Sequence, residues 1–156
     1  MLRSLPVALL AAVLLAGVAV LAAGGTAAAH AYLEEASPAA DAVVSVLPEA
    51  VTLRFTEPVD VRASLFKVYP LAPDEDPAQL RAQAARLVEE VLQRRDDEEA
   101  RADAGVETAG REAAEIRIVL KRDLPPGPYV VMWRVLSVDT HVTTGHYIFT
   151  YAPAAQ

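Results

Sequence analysis

The chain has 156 residues, a formal net charge of −7, no cysteine and 53% hydrophobic residues. That length suits one domain with a modest addition. An acidic chain is a poor partner for nucleic acid, whose phosphates demand a basic face, and without cysteine there is neither a disulfide framework nor a thiolate metal site.

The first 29 residues supply much of the apolar content. MLRSLPVALLAAVLLAGVAVLAAGGTAAA carries Arg3 as its only charge, then an apolar run, then small residues ending in Ala27-Ala28-Ala29. A positive start, an apolar middle and an A-x-A end describe a secretory signal peptide over 1–29. The alternative is an uncleaved anchor, because Leu5 to Ala23 approaches the ~20 residues needed to span a bilayer. Against it, small residues crowd the far end and no basic cluster holds that flank. Cleavage after Ala29 would export a periplasmic or extracellular domain beginning at His30.

Residues 30–69 read as β-structure. In VTLRFT, Val51, Leu53 and Phe55 face one way and Thr52, Arg54 and Thr56 the other, the period of a half-buried strand. Turn signals stand at Ser37-Pro38 and Pro48, and ASLFKVY is a further strand closed by Pro70.

From about 74 to 111 the character changes. Leu80, Ala84, Leu87, Val88 and Val91 form one stripe of an amphipathic helix, expected over about 77–93. Asp76 is the expected N-cap, with Pro77 at the first helical position and Gln79 three residues after the cap. Arg94 to Arg101 are almost wholly charged and read as a solvated tail ending near Gly110, the whole segment a surface decoration; a partner-binding helix is the sharper alternative. Strand character returns at AEIRIVL, LPPGPY is a dense turn signal, and YVVMWRVLSV is apolar on both faces apart from Arg134. GHYIFTY is the last strand. Six or seven short strands around one helical insertion predict an all-β antiparallel sandwich.

The three histidines are His30, His141 and His146. Asp139 and His141 are two apart, so in an extended segment both point to one side. A histidine at a freed N-terminus adds an α-amine and an imidazole from a single residue, closing a chelate ring on one metal. The unperturbed amine pKa is ~8, within reach of a strongly polarising ion near neutrality. An amine, two imidazoles and a carboxylate form the tetragonal N,O set that Cu(II) prefers, and copper heads the divalent affinity series. Met132, in the apolar strand, is the only nearby sulfur, which argues against a dedicated Cu(I) site. His146 reads as a partly buried strand histidine bonded to a neighbour, Trp133 and Tyr129 as core, Arg134 as a surface charge or a partner of Glu57, and Ser137 as a donor orienting the Asp139 loop.

HAYLEEASPAADAVVSVLPEAVTLRFTEPV and LPPGPYVVMWRVLSVDTHVTTGHYIF together resemble the CopC family of exported copper-binding proteins. The resemblance covers roughly 30–69 and 115–151. It implies a Greek-key β-sandwich of immunoglobulin-like or cupredoxin-like form, occupying 30–152 with the helix inserted, and Cu(II) held at the mature N-terminus by His30, Asp139 and His141. It also points to Glu57 as a weak ligand or a residue beside the ligands. It further implies a monomeric binding protein, not an enzyme, that serves copper homeostasis and resistance, with a membrane copper-transport protein as a possible partner. Thr140 departs from the family's usual glycine between the aspartate and the histidine, and would strain the loop if that position needs positive φ. The methionine-rich stretch of some members is absent. Two other readings stand beside this one: an immunoglobulin-like module without metal, and a copper oxidative enzyme built on a histidine brace.

Overall fold

The computed structural model describes residues 30–154; the leader reading falls on 1–29, outside the described residues. Eight strands and one helix follow in order: β1 (Leu33–Ser37), β2 (Val43–Val44), β3 (Ala50–Asp60), β4 (Leu65–Pro70), α1 (Pro77–Val91), β5 (Asp103–Val106), β6 (Glu112–Leu120), β7 (Gly127–Leu136) and β8 (Val142–Tyr151). They form two four-stranded sheets, β1-β3-β6-β5 and β2-β8-β7-β4. The chain crosses between sheets after β1, β2, β3, β4 and β6, the interlocked path of a Greek-key sandwich. Pairing is antiparallel except for the two-residue β2, which runs parallel to β8. Among the described residues no helix is long and apolar enough to cross a membrane.

The period-two reading places the core. Val51, Leu53 and Phe55 of β3, with Ile116, Ile118 and Leu120 of β6, meet Val131, Trp133 and Val135 of β7 and Tyr147 and Phe149 of β8 between the sheets. Gly145 faces Trp133 across the β7–β8 ladder. A Cβ there would stand 2.3 Å from the indole, inside any permitted contact. Gly145→Ala is therefore expected to destabilise the domain by about 1–3 kcal/mol through overpacking, read as a lower urea midpoint.

β7 is apolar on both faces for a reason beyond its central position. Its outward residues Val130 and Met132 are covered by α1, where Ala84, Val91 and Leu92 build a second core with Tyr69, Leu71 and Ile148. The helix starts as expected, with the Asp76 carboxylate accepting from the Ala78 N–H at 2.8 Å and Pro77 following the cap. It ends at Val91, two residues earlier than the stripe suggested.

The charged run that follows is not a solvated tail. Lys67 of β4, 3% exposed, bonds the Val91 and Arg94 carbonyls at the end of α1 and the buried Asp97 carboxylate. A cation there satisfies carbonyls that the helix leaves unpaired. The Tyr69 hydroxyl donates to Asp97 at 2.6 Å. Asp103, 2% exposed, accepts the Val68 N–H at 2.8 Å and is paired with Arg101. The insertion then supplies β5, which pairs with β6 and completes the first sheet. What composition marks as decoration is thus tied into both sheets.

Candidate metal centre

Pro58 sets the local geometry. Lacking an N–H, it cannot donate to a sheet ladder, and the β3–β6 pairing is broken between Arg54 and Val59. The freed stretch turns to two other elements. On one side the Thr56 N–H donates to the Tyr32 carbonyl at 2.9 Å; on the other the Pro58 carbonyl accepts from Val138, and Val59 bridges Ser137. The FTEPV segment therefore brings the start of the domain and the β7–β8 turn to one end of the sandwich.

There His30, Asp139 and His141 each present a donor atom, all within 4.8 Å of one another. The two imidazole centroids are 4.4 Å apart, nearly perpendicular. His30 also meets the exposed Tyr32 ring edge-on at 5.9 Å. The N-terminal stretch is held by several contacts. Thr56 Oγ1 accepts from the Tyr32 N–H at 3.0 Å and donates to the His30 carbonyl at 3.2 Å. Thr143 Oγ1 donates to the Ala31 carbonyl at 2.7 Å, and the Ala31 methyl is buried in the sandwich core.

Ser137 organises the β7–β8 turn, as its place before Asp139 suggested. It is 2% exposed, and its hydroxyl is hydrogen bonded to Asp139 Oδ1. The His141 N–H reaches the same oxygen at 3.2 Å, and Asp139 Oδ2 lies 2.9 Å from His141 Nδ1. The Ser137 hydroxyl, with the His141 N–H and ring, outweighs partial desolvation and holds the Asp139 carboxyl at about 2. Asp139 is thus a carboxylate near neutrality, an acceptor only, so the proton of a neutral His141 sits on Nδ1. Nε2 is left with a bare lone pair, the form in which imidazole ligates metals. The His141 side chain is 53% exposed and that of Asp139 24%, so the site opens to solvent.

Thr140, between the two donors, has φ 73°. The position does require the left-handed region, and a β-branched residue there is strained. Thr140→Gly is expected to stabilise the copper-free domain by about 0.5–1 kcal/mol, the relieved strain exceeding the entropy glycine adds to the unfolded chain. Urea unfolding checks it.

Three expectations fall elsewhere. Glu57 sits half-buried between Thr56 and Pro58, at this end of the molecule but outside the cluster of three donors. Arg134 alternates to the outer face of β7, away from the sandwich core, and makes no ion pair with Glu57 among the described residues. His146 is exposed rather than partly buried; it lies opposite Met132 on the outer face of β8 and has no side-chain hydrogen bond among the described residues. Sequence reasoning missed Thr56 and Thr143. Both read as ordinary strand residues, because their partners are backbone carbonyls of the other end of the chain.

Comparison with known proteins gives the same placement. The CopC domain model matches residues 33–152, a span that begins after His30 and includes Asp139 and His141. Protein YobA of Escherichia coli strain K12 is 30% identical over 122 residues, 78% of each chain. Copper resistance protein C of Escherichia coli is 28% identical over 137 residues, covering 88% of this chain and 93% of its own. The crystal structure of CopC from Methylosinus trichosporium OB3b matches with a TM-score of 0.58 and 25% identity, over 81% of this chain and 98% of that one. PcoC from Escherichia coli, described as a methionine-rich copper resistance protein, matches with a TM-score of 0.56 and 28% identity, over 80% and 100%. Here, by contrast, Met132 is the one methionine among the described residues, and it is buried beneath α1. The sandwich, the matched span and these relatives agree: the chain belongs to the CopC family.

Proposed function

We propose that this protein is exported, is processed to begin at His30, and binds Cu(II) as a carrier or buffer in copper homeostasis and resistance. The observation that carries the reading is the convergence of His30, Asp139 and His141 within 4.8 Å, from opposite ends of the domain. The freed amine and imidazole of His30, His141 and the Asp139 carboxylate make an N,N,N,O set suited to tetragonal Cu(II) and poor for Cu(I), which prefers sulfur. Copper is cargo in this reading, and the protein is a binding protein rather than an enzyme. The open site suits exchange of the ion with a partner such as a membrane copper-transport protein.

The test is competitive Cu(II) titration of two chains, one starting at His30 and one carrying a single alanine ahead of it. The extended chain is expected to bind roughly tenfold or more weakly, since it loses the terminal amine and its chelate ring. Equal tight binding by both chains would sink the N-terminal chelate.

A further inference from the structure

The start of a domain is usually poorly ordered unless something ties it down. Here residues 30–32 are tied at every available backbone group. The His30 carbonyl accepts from Thr56 Oγ1 and the Ala31 carbonyl from Thr143 Oγ1; the Tyr32 N–H donates to Thr56 Oγ1 and its carbonyl accepts from the Thr56 N–H. Thr56 belongs to β3 in one sheet and Thr143 to β8 in the other. The Ala31 methyl between them is 1% exposed, a plug seated where the sheets meet.

Two hydroxyls therefore fix the peptide planes on either side of Ala31, one from each sheet. That matters because His30 has no preceding structure to orient it. Its imidazole stands 4.4 Å from that of His141 only if the peptide carrying it has the right direction. An end left loose would have to lose its backbone freedom each time an ion bound, and that ordering cost would weaken binding.

We propose that Thr56 and Thr143 are positioning residues for the metal centre: their hydroxyls hold the first peptides of the mature chain so that His30 meets Asp139 and His141 before any ion arrives. This rests on the reading of His30 as a copper ligand. Neither threonine touches the metal; both act through the backbone of residues 30–32. Thr56 contributes both as acceptor and as donor, so it cannot be replaced by a group of one polarity. Alanine at 31 fits the same logic, since its side chain anchors the segment without reaching the donors.

The test uses the processed protein beginning at His30, with Thr56→Val and Thr143→Val removing each hydroxyl at nearly constant shape. Each change is expected to weaken Cu(II) binding about fivefold, as the loss of one net hydrogen bond does. Thr56→Ser and Thr143→Ser should restore it. A double-mutant cycle with His30→Ala separates positioning from general damage. In the His30→Ala background, where copper has only the Asp139 and His141 donors, the valine changes should make no difference. Unchanged affinity in the valine variants with His30 present overturns the proposal, and so does an equal loss in both backgrounds. Equal binding by the unsubstituted chain and His30→Ala would instead defeat the copper reading itself. In that event amide NMR relaxation of the copper-free chain decides: Ala31 and Tyr32 rigid in the unsubstituted chain and mobile in the double valine variant supports positioning, and rigid in both overturns it.

Discussion

Asp97→Ala is expected to destabilise the copper-free domain by about 3–5 kcal/mol, the cost of stranding a buried cation. Lys67 and Asp97 are 3% and 2% exposed at the side chain, and no water reaches the ammonium to replace the lost carboxylate. Two helix-end carbonyls would remain on Lys67, but dipoles do not neutralise it. Tyr69 would lose its acceptor as well. The measurement is urea unfolding, with a lower midpoint at unchanged slope. Replacing both partners with apolar residues, as in Lys67→Met with Asp97→Leu, should cost far less, because the desolvation of both charges disappears with them. The pair also sets an acid limit. Burial pushes the Asp97 carboxyl up, but hydrogen bonds from Lys67 and Tyr69 and the charges of Lys67 and Arg101 outweigh it and leave it below the ordinary range. A depressed carboxyl contributes stability that is complete above its unfolded pKa, about 4, and is lost as pH falls through the lower folded value. Asp97→Ala should flatten that part of the stability–pH curve.

Ser137→Ala is expected to lower Cu(II) affinity about 10–100-fold, the usual effect of losing a group that orients a metal ligand. The Ser137 hydroxyl is the largest influence holding the Asp139 carboxyl low, and it pins Oδ1 so that Oδ2 faces His141. Without it the Asp139 side chain gains rotamers, and the strained Thr140 link has a route to relax. Competitive titration at pH 7 reads the loss. His146→Ala is the control and should leave affinity unchanged, since His146 faces outward on β8, outside the donor cluster. A Ser137→Ala protein that binds as tightly as the parent would show that the turn holds Asp139 without the hydroxyl.

The parts of this molecule that were legible in the sequence are those governed by local rules. Alternation in VTLRFT and AEIRIVL fixed which residues face the core, and Asp76-Pro77 marked the helix start. His30, Asp139 and His141 were legible for another reason: only a few residues in the chain can ligate a metal, and the family resemblance joined them. What stayed hidden was long-range and polar. Arg94 to Arg101 looks solvated because composition cannot show that a single acid in the run, Asp97, turns inward to meet Lys67. β7 looks apolar on both faces whether the second face meets a sheet or a helix. The role of Thr56 is invisible in its own strand, since its partners precede it by a whole strand pairing. Thr140 is the reverse case, where a single departure from a motif correctly foretold a residue at positive φ.

The Thr143–Ala31 hydrogen bond joins residues 112 positions apart, and the metal donors span nearly the same stretch. An ion held by His30 and His141 would close almost the entire domain into one loop. In a chain with no cysteine, such an ion would be a cross-link between the two ends. Chain-entropy arguments put the closure of a loop of about a hundred residues at about 4.7 kcal/mol when the link is permanent. Loaded copper would then act as a removable clasp on the fold, and loss of the ion would leave the sandwich easier to open from its first strand.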